Sequence, residues 1–99
     1  MKILLVGSGG REHALAWSIS ASALVEELVI APGSDAMADL GKCVPIPADD
    51  VEGLTDLAVN LAADLVVIGP EVPLVLGLAD SLADNNIAAF GPSRVAAQL

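Results

Sequence analysis

The residues most suggestive of chemistry form a glycine-rich turn close to the amino terminus. A short apolar run, Lys2–Val6, leads into Gly7-Ser8-Gly9-Gly10-Arg11, and a helical pattern begins at once. Glycines leave room for loop N–H groups and the positive end of a helix dipole to face an anion. A cation in the first turn opposes that dipole, and a bound anion would offset the cost of Arg11. The sequence therefore predicts a phosphate-binding loop over Gly7, Ser8, Gly9, Gly10 and Arg11.

Familiar glycine-rich and catalytic motifs do not match this turn. A dinucleotide fingerprint needs a small residue where Glu12 stands and an acid after the second strand, where the chain reads Ala31-Pro32. The Gly-Lys-Ser/Thr of a nucleoside-triphosphate loop occurs nowhere. Ser8 and His13 lack the Gly-x-Ser-x-Gly context of a hydrolase, and packing is the commoner role of a lone histidine. We assign no catalytic residue and no metal ligand.

A second candidate residue is Glu71, which follows the apolar run 64–68 through Gly69-Pro70. In the predicted fold it faces the glycine loop, where a carboxylate suits the paired hydroxyls of a sugar. Two alternatives remain open from the residues alone. Glu71 could stabilise a helix terminus through the dipole, and Arg11 could pair with Glu12 or Glu71 and bind nothing.

The composition restricts the possible partners. The 99 residues are 55% apolar and carry a net charge of −9 with four basic residues, which leaves no basic surface for nucleic acid or an anionic membrane. No apolar run is long enough to cross a bilayer or to serve as a signal peptide. The charge leaves small molecules and proteins as the expected partners. The lone Cys43 fits a reducing compartment, so we expect a cytoplasmic protein.

Strand and helix patterns alternate along the chain. Pro45 suggests that the third strand lies at an edge of the sheet, because proline cannot donate to a ladder. Residues 34–40 are ambiguous and could form a short helix. The predicted strands are 2–6, 27–30, 43–46, 64–68 and 87–90. The first predicted helix is 11–21, and the second is capped by Asp49 or Asp50. The third begins near Pro73 and buries Val75, Leu78, Ala79 and Leu82.

This alternation predicts one Rossmann-like α/β domain over residues 1–99, with a five-stranded parallel sheet of order 3-2-1-4-5. Ligands of such sheets bind outside the carboxyl ends of the strands at the switch point, here between strands one and four. Glycines and prolines cluster just after strands, which indicates that this edge is specialised for a ligand. Further candidates at the same edge are Pro32, Gly33, Gly91, Pro92 and Ser93.

Motifs along the whole chain resemble the N-terminal, pre-ATP-grasp domain of the glycinamide ribonucleotide synthetase family, also called phosphoribosylamine–glycine ligase. The resemblance rests on Gly7–Ala14, Ala31-Pro32-Gly33, Gly69–Leu74 with Gly77, Phe90-Gly91-Pro92 and Ala96–Leu99. Ser34-Asp35 departs from the family, many members of which have Asn-Ala there, so the resemblance does not extend to a contact from these two residues.

The resemblance implies part of an ATP-dependent ligase that joins glycine to 5-phosphoribosylamine in de novo purine biosynthesis. Gly7–Arg11 and Glu71 would then contact the phosphoribosyl substrate, and Pro32, Gly33 and Gly91–Ser93 would line the crevice. ATP and magnesium would be bound by an ATP-grasp domain that this chain does not contain, so we expect it to be inactive alone. An exposed apolar face would dock on that domain or self-associate. The alternative is a free-standing Rossmann-like binding module without ligase activity.

Overall fold

Five short apolar strands and three helices alternate in a computed structural model that describes residues 1–69 and 75–90. None of its helices is both long and apolar enough to cross a membrane. The strands are β1 (Lys2–Gly7), β2 (Glu27–Pro32), β3 (Lys42–Cys43), β4 (Leu65–Ile68) and β5 (Ala88–Phe90). The helices are α1 (Gly10–Ser20), α2 (Val51–Leu61) and α3 (Val75–Asp84), with a 3-10 helix at Asp35–Met37 inside the segment that the sequence left ambiguous.

All strand pairs are parallel, and their order is β3-β2-β1-β4-β5, which confirms the predicted sheet. The central strand β1 pairs on both sides, so that Leu5 lies between Ile30 of β2 and Val67 of β4. After β3 the chain crosses through α2 to β4 on the other side of β1, so the direction of strand addition reverses between β1 and β4. The carboxyl ends of these two neighbouring strands form the switch point at which ligands of such sheets bind.

Alternate residues of the strands build a separate apolar core on each face of the sheet. On one face Leu4 and Val66 pack with Leu54 of α2 and Leu78 of α3. On the opposite face Leu5 and its neighbours pack with Ala16 of α1 and Met37 of the 3-10 helix. Among the described helices longer than one turn, α1 is therefore the only one on its face of the sheet, while α2 and α3 share the other face.

The third strand is shorter than predicted. It covers Lys42–Cys43 instead of residues 43–46, although it does lie at the edge as expected. The N–H of Val44 still donates to the Ile30 carbonyl over 2.8 Å, but the N–H of Ile46 turns back to the Val44 carbonyl. Pro45 has no N–H to continue the ladder, so the chain leaves the sheet at this point.

Candidate functional site

Three loops meet at the carboxyl edge of the sheet. Gly7 ends β1 beside Pro32 of β2, and the N–H of Gly33 donates to the Gly7 carbonyl over 3.1 Å. On the other side of β1 the N–H of Gly69 donates to the Val6 carbonyl over 2.9 Å. Gly7, Pro32 and Gly33, which the sequence assigned to one site, are therefore in direct backbone register.

The amino terminus of α1 presents backbone donors that have no acceptor within the helix. Gly9 is the N-cap and offers no side chain, so no side-chain cap forms, and the first helical bond runs from the His13 N–H to the Gly9 carbonyl over 3.0 Å. The N–H groups of the first helical residues have no acceptor within the helix. Ser8, Gly10 and Arg11 are exposed, and Gly9 is half-buried. The turn thus offers N–H groups and a guanidinium to an anion that approaches from solvent.

The carboxyl side chain of Glu12 points the opposite way, into the protein. Glu12 is 1% exposed and lies over the ends of β1 and β4. A Cβ on Gly7 would lie 2.7 Å from Glu12 Cδ, and a Cβ on Gly69 would lie 2.6 Å from Glu12 Oε1. Gly7 also has φ +137°, a conformation that side-chain-bearing residues rarely adopt. Both glycines are needed in part because Glu12 occupies the space beside them.

From the sequence, Glu12 was interpreted as a break in the dinucleotide pattern and as an alternative partner of Arg11, and its role in packing was missed. The available signal was its position: it replaces the small residue that lets helix and strand approach closely in dinucleotide-binding domains. Here a buried carboxyl group fills the space between the ends of β1 and β4 instead. The side of the turn that stays open to solvent is consequently its outer side, from Ser8 to Arg11.

Gly10 differs from the other glycines of this edge. A Cβ on Gly10 would meet no atom within 4 Å, so the packing of the described residues does not require a glycine there. Gly33, in contrast, has φ +71°, and a Cβ on it would lie 2.6 Å from the Cys43 sulfur. The open space at Gly10 faces outward and is available to a ligand or a neighbouring protein.

A shallow depression of about 410 Å³ continues from Gly10 along the outside of α1. It is lined by Gly10, His13, Ala14, Trp17 and Ser18. His13 therefore lines the outer face of the helix, whereas Glu12 one residue before it fills the space beside Gly7 and Gly69 inside the protein.

The remaining sequence candidates, Glu71, Gly91, Pro92 and Ser93, lie outside the described residues, so their placement at the site stays a prediction. Within residues 1–69 and 75–90 no group of three or more histidine, cysteine or acidic side chains could hold a metal ion.

Over residues 1–99 the chain matches the family described as "Phosphoribosylglycinamide synthetase, N domain". The chain belongs to this family. This N domain is 54% identical to a phosphoribosylamine–glycine ligase of Agrobacterium fabrum and 56% identical to one of Phenylobacterium zucineum, each over 99 residues. All of the chain is aligned in both cases, but it spans only 23% of the length of either relative.

A crystal structure shares the fold. The phosphoribosylamine–glycine ligase of Thermotoga maritima aligns with 77% of this N domain at a TM-score of 0.55 and 21% sequence identity, and 17% of the larger chain is covered. The likeness supports the α/β arrangement alone. The family expected from the motifs along the chain and the fold expected from the strand–helix alternation are both confirmed.

Proposed function

We propose that this N domain supplies the phosphoribosyl-binding surface of a ligase that joins glycine to 5-phosphoribosylamine at the expense of ATP. The observation that carries the proposal is the exposed, uncapped turn Ser8–Arg11 at the switch point. The relatives support the substrate class, because those aligned over the whole of this chain are named phosphoribosylamine–glycine ligases.

The phosphate group is assigned to the outer side of the turn. Its oxygens accept hydrogen bonds from the first N–H groups of α1 and from the guanidinium of Arg11, which is exposed. The only acid of α1, Glu12, is directed into the protein, so no carboxylate of this helix lies on the side where the phosphate binds. In a chain of net charge −9, this local arrangement is what makes an anion site physically reasonable.

The sugar is assigned to the crevice beside the turn. Glu71, two residues after Gly69, would accept hydrogen bonds from ribose hydroxyls. Pro32 and Gly33 would form the opposite wall, which is supported by the hydrogen bond between Gly33 and Gly7. Gly91, Pro92 and Ser93, which follow β5 next to β4 in the sheet, would complete the lining.

The ATP and magnesium of the reaction are assigned to the part of the ligase that lies outside these 99 residues. The described residues do not fit a magnesium site, since they hold no suitable group of three acidic or histidine ligands. We therefore assign no chemical step to this domain and propose that it forms no glycinamide ribonucleotide alone. The reaction would take place in the cytoplasm, where a lone thiol such as Cys43 stays reduced.

The test is calorimetric titration of the chain with glycinamide ribonucleotide, the product implied by the family resemblance. Arg11→Gln should weaken binding about tenfold or more, because a charge-assisted hydrogen bond contributes about 1.5–3 kcal/mol. Lys2→Gln is the matched control, since it removes the same charge at the amino end of β1, the opposite edge of the sheet. Equal binding by both variants would remove the site assignment, and no binding by the wild-type chain would remove the proposed function.

A further inference from the structure

The outer face of α1, defined by Gly10, His13, Ala14, Trp17 and Ser18, is an apolar surface with a depression of about 410 Å³. Trp17 is the only tryptophan of the chain, and 66% of its surface is exposed. Aromatic residues, tryptophan among them, are enriched at protein interfaces. This face has the composition of a contact surface.

The charge distribution sets this face apart from the other described helices. Helix α2 exposes Glu52 and Asp56, and α3 exposes Asp80 and Asp84. Helix α1 contains one acid, Glu12, and buries it on the side of the sheet. The outer face of α1 therefore carries no acidic residue, although the chain as a whole has 13 acids against four basic residues. Burial of this face in a protein contact therefore avoids the free-energy cost of removing a carboxylate from water.

We infer that the outer face of α1 is the docking surface for the remaining part of the ligase, which places an apolar side chain in the depression against Trp17. The inference rests on the proposed function in one respect only: the protein segment that covers this face is taken to be part of the ligase. The matched domain makes up 23% of the length of two relatives that align with the whole chain, so most of each of those ligases is joined to it within one polypeptide.

A second copy of the chain is the less suitable occupant. Two copies would bring together net charges of −9 each, whereas a segment of the same polypeptide is held beside the domain at high effective concentration. The position of the face also has a consequence for the substrate. Gly10 belongs both to this face and to the proposed phosphate-binding turn, so the docked part would border the bound phosphate and exclude water from it.

The test compares the isolated chain with a full-length chimera, the Agrobacterium fabrum ligase in which the 99 matched residues are replaced by this chain. Hydroxyl-radical labelling read by mass spectrometry reports each side chain separately. We expect at least fivefold less labelling of Trp17 in the chimera than in the isolated chain, with Val59 of α2, 48% exposed, unchanged as the control. Equal labelling of Trp17 in both proteins would overturn the inference, as would protection in the isolated chain that rises with its concentration.

A second format does not depend on the chimera. The Agrobacterium fabrum ligase without its 99 matched residues is co-expressed with this chain, and this chain is then used to capture the truncated ligase. Three versions of the chain are compared: wild type, Trp17→Asp and Val59→Asp. Capture should be lost only in Trp17→Asp, while the isolated Trp17→Asp chain keeps the unfolding midpoint of the wild type. Equal capture by the two variants, or none by the wild type, would contradict the inference. Neither measurement uses a ligand or depends on turnover, so a result that contradicts the inference leaves the proposed function untouched.

Discussion

The buried carboxyl group of Glu12 lies where a side chain on Gly69 would stand. A Cβ on Gly69 would approach Glu12 Oε1 to 2.6 Å, although the two residues belong to the first helix and to the end of β4. The glycines of the carboxyl edge therefore serve two purposes. Gly69 and Gly7 make room for Glu12 inside the protein, whereas Gly10 leaves space outside it.

Gly69→Ala should lower the free energy of unfolding by about 1–3 kcal/mol, because the new methyl group collides with a side chain that is 1% exposed and has little room to move. In a Glu12→Ala background the same substitution should cost much less, since the collision is gone. Urea denaturation of the four proteins in this cycle measures the difference.

Gly7→Ala provides the internal comparison. Its φ of +137° makes any side chain strained whatever the neighbouring residues are, so Glu12→Ala should relieve only part of its cost. If Gly69→Ala lowered the free energy of unfolding equally with and without the Glu12 side chain, contact with Glu12 would not explain the glycine at position 69.

Gly10→Ala should separate stability from binding. A Cβ at Gly10 or at Gly77 of α3 meets no atom of the described part of the chain within 4 Å, and both residues are exposed. Each substitution should therefore leave the free energy of unfolding unchanged or raise it by up to about 1 kcal/mol. Calorimetry with glycinamide ribonucleotide should show weaker binding for Gly10→Ala alone. The same affinity for both variants would place the ligand elsewhere.

The cap of α2 can be tested with two adjacent acids. Asp50 is the N-cap, and its Oδ1 accepts from the Gly53 N–H over 2.9 Å. Asp50→Ala should lower the free energy of unfolding by about 1 kcal/mol. Asp49→Ala removes the same charge without removing a cap and should change it by no more than about 0.5 kcal/mol. Thermal and urea unfolding with the opposite ranking would contradict this assignment.

A hydroxyl pair links α2 to α3. Thr55, 6% exposed, donates to the Val51 carbonyl over 2.8 Å and lies 2.8 Å from the Ser81 oxygen, so Ser81 donates to Thr55. Thr55→Val should destabilise the protein by about 1–2 kcal/mol, because it leaves the Ser81 donor unpaired beside an apolar group. Thr55→Ser is the control that keeps the hydroxyl. A cycle with Ser81→Ala that shows no coupling energy would contradict a direct hydrogen bond.

The sequence predicted the elements well where the pattern was strong and local. The apolar run of β1, the glycine turn and the amphipathic pattern of α2 were recognised because their signals lie within a few neighbouring residues. The third strand was predicted too long, since the apolar residues around Pro45 resemble a strand while the missing N–H ends the ladder. The choice between Asp49 and Asp50 needed the direction of one side chain, which composition does not encode.

The sequence by itself determined the parallel sheet, its order and the edge at which the glycine- and proline-containing turns gather. The physical reason is that strand–helix alternation and right-handed crossovers leave few other arrangements. Only the tertiary structure decided that Glu12 turns inward over Gly7 and Gly69 while Trp17 stays outside. The direction of a helix side chain depends on how the helix is rotated against a sheet built from distant segments. That rotation separates the buried residue that shapes the site from the exposed one proposed to meet the rest of the ligase.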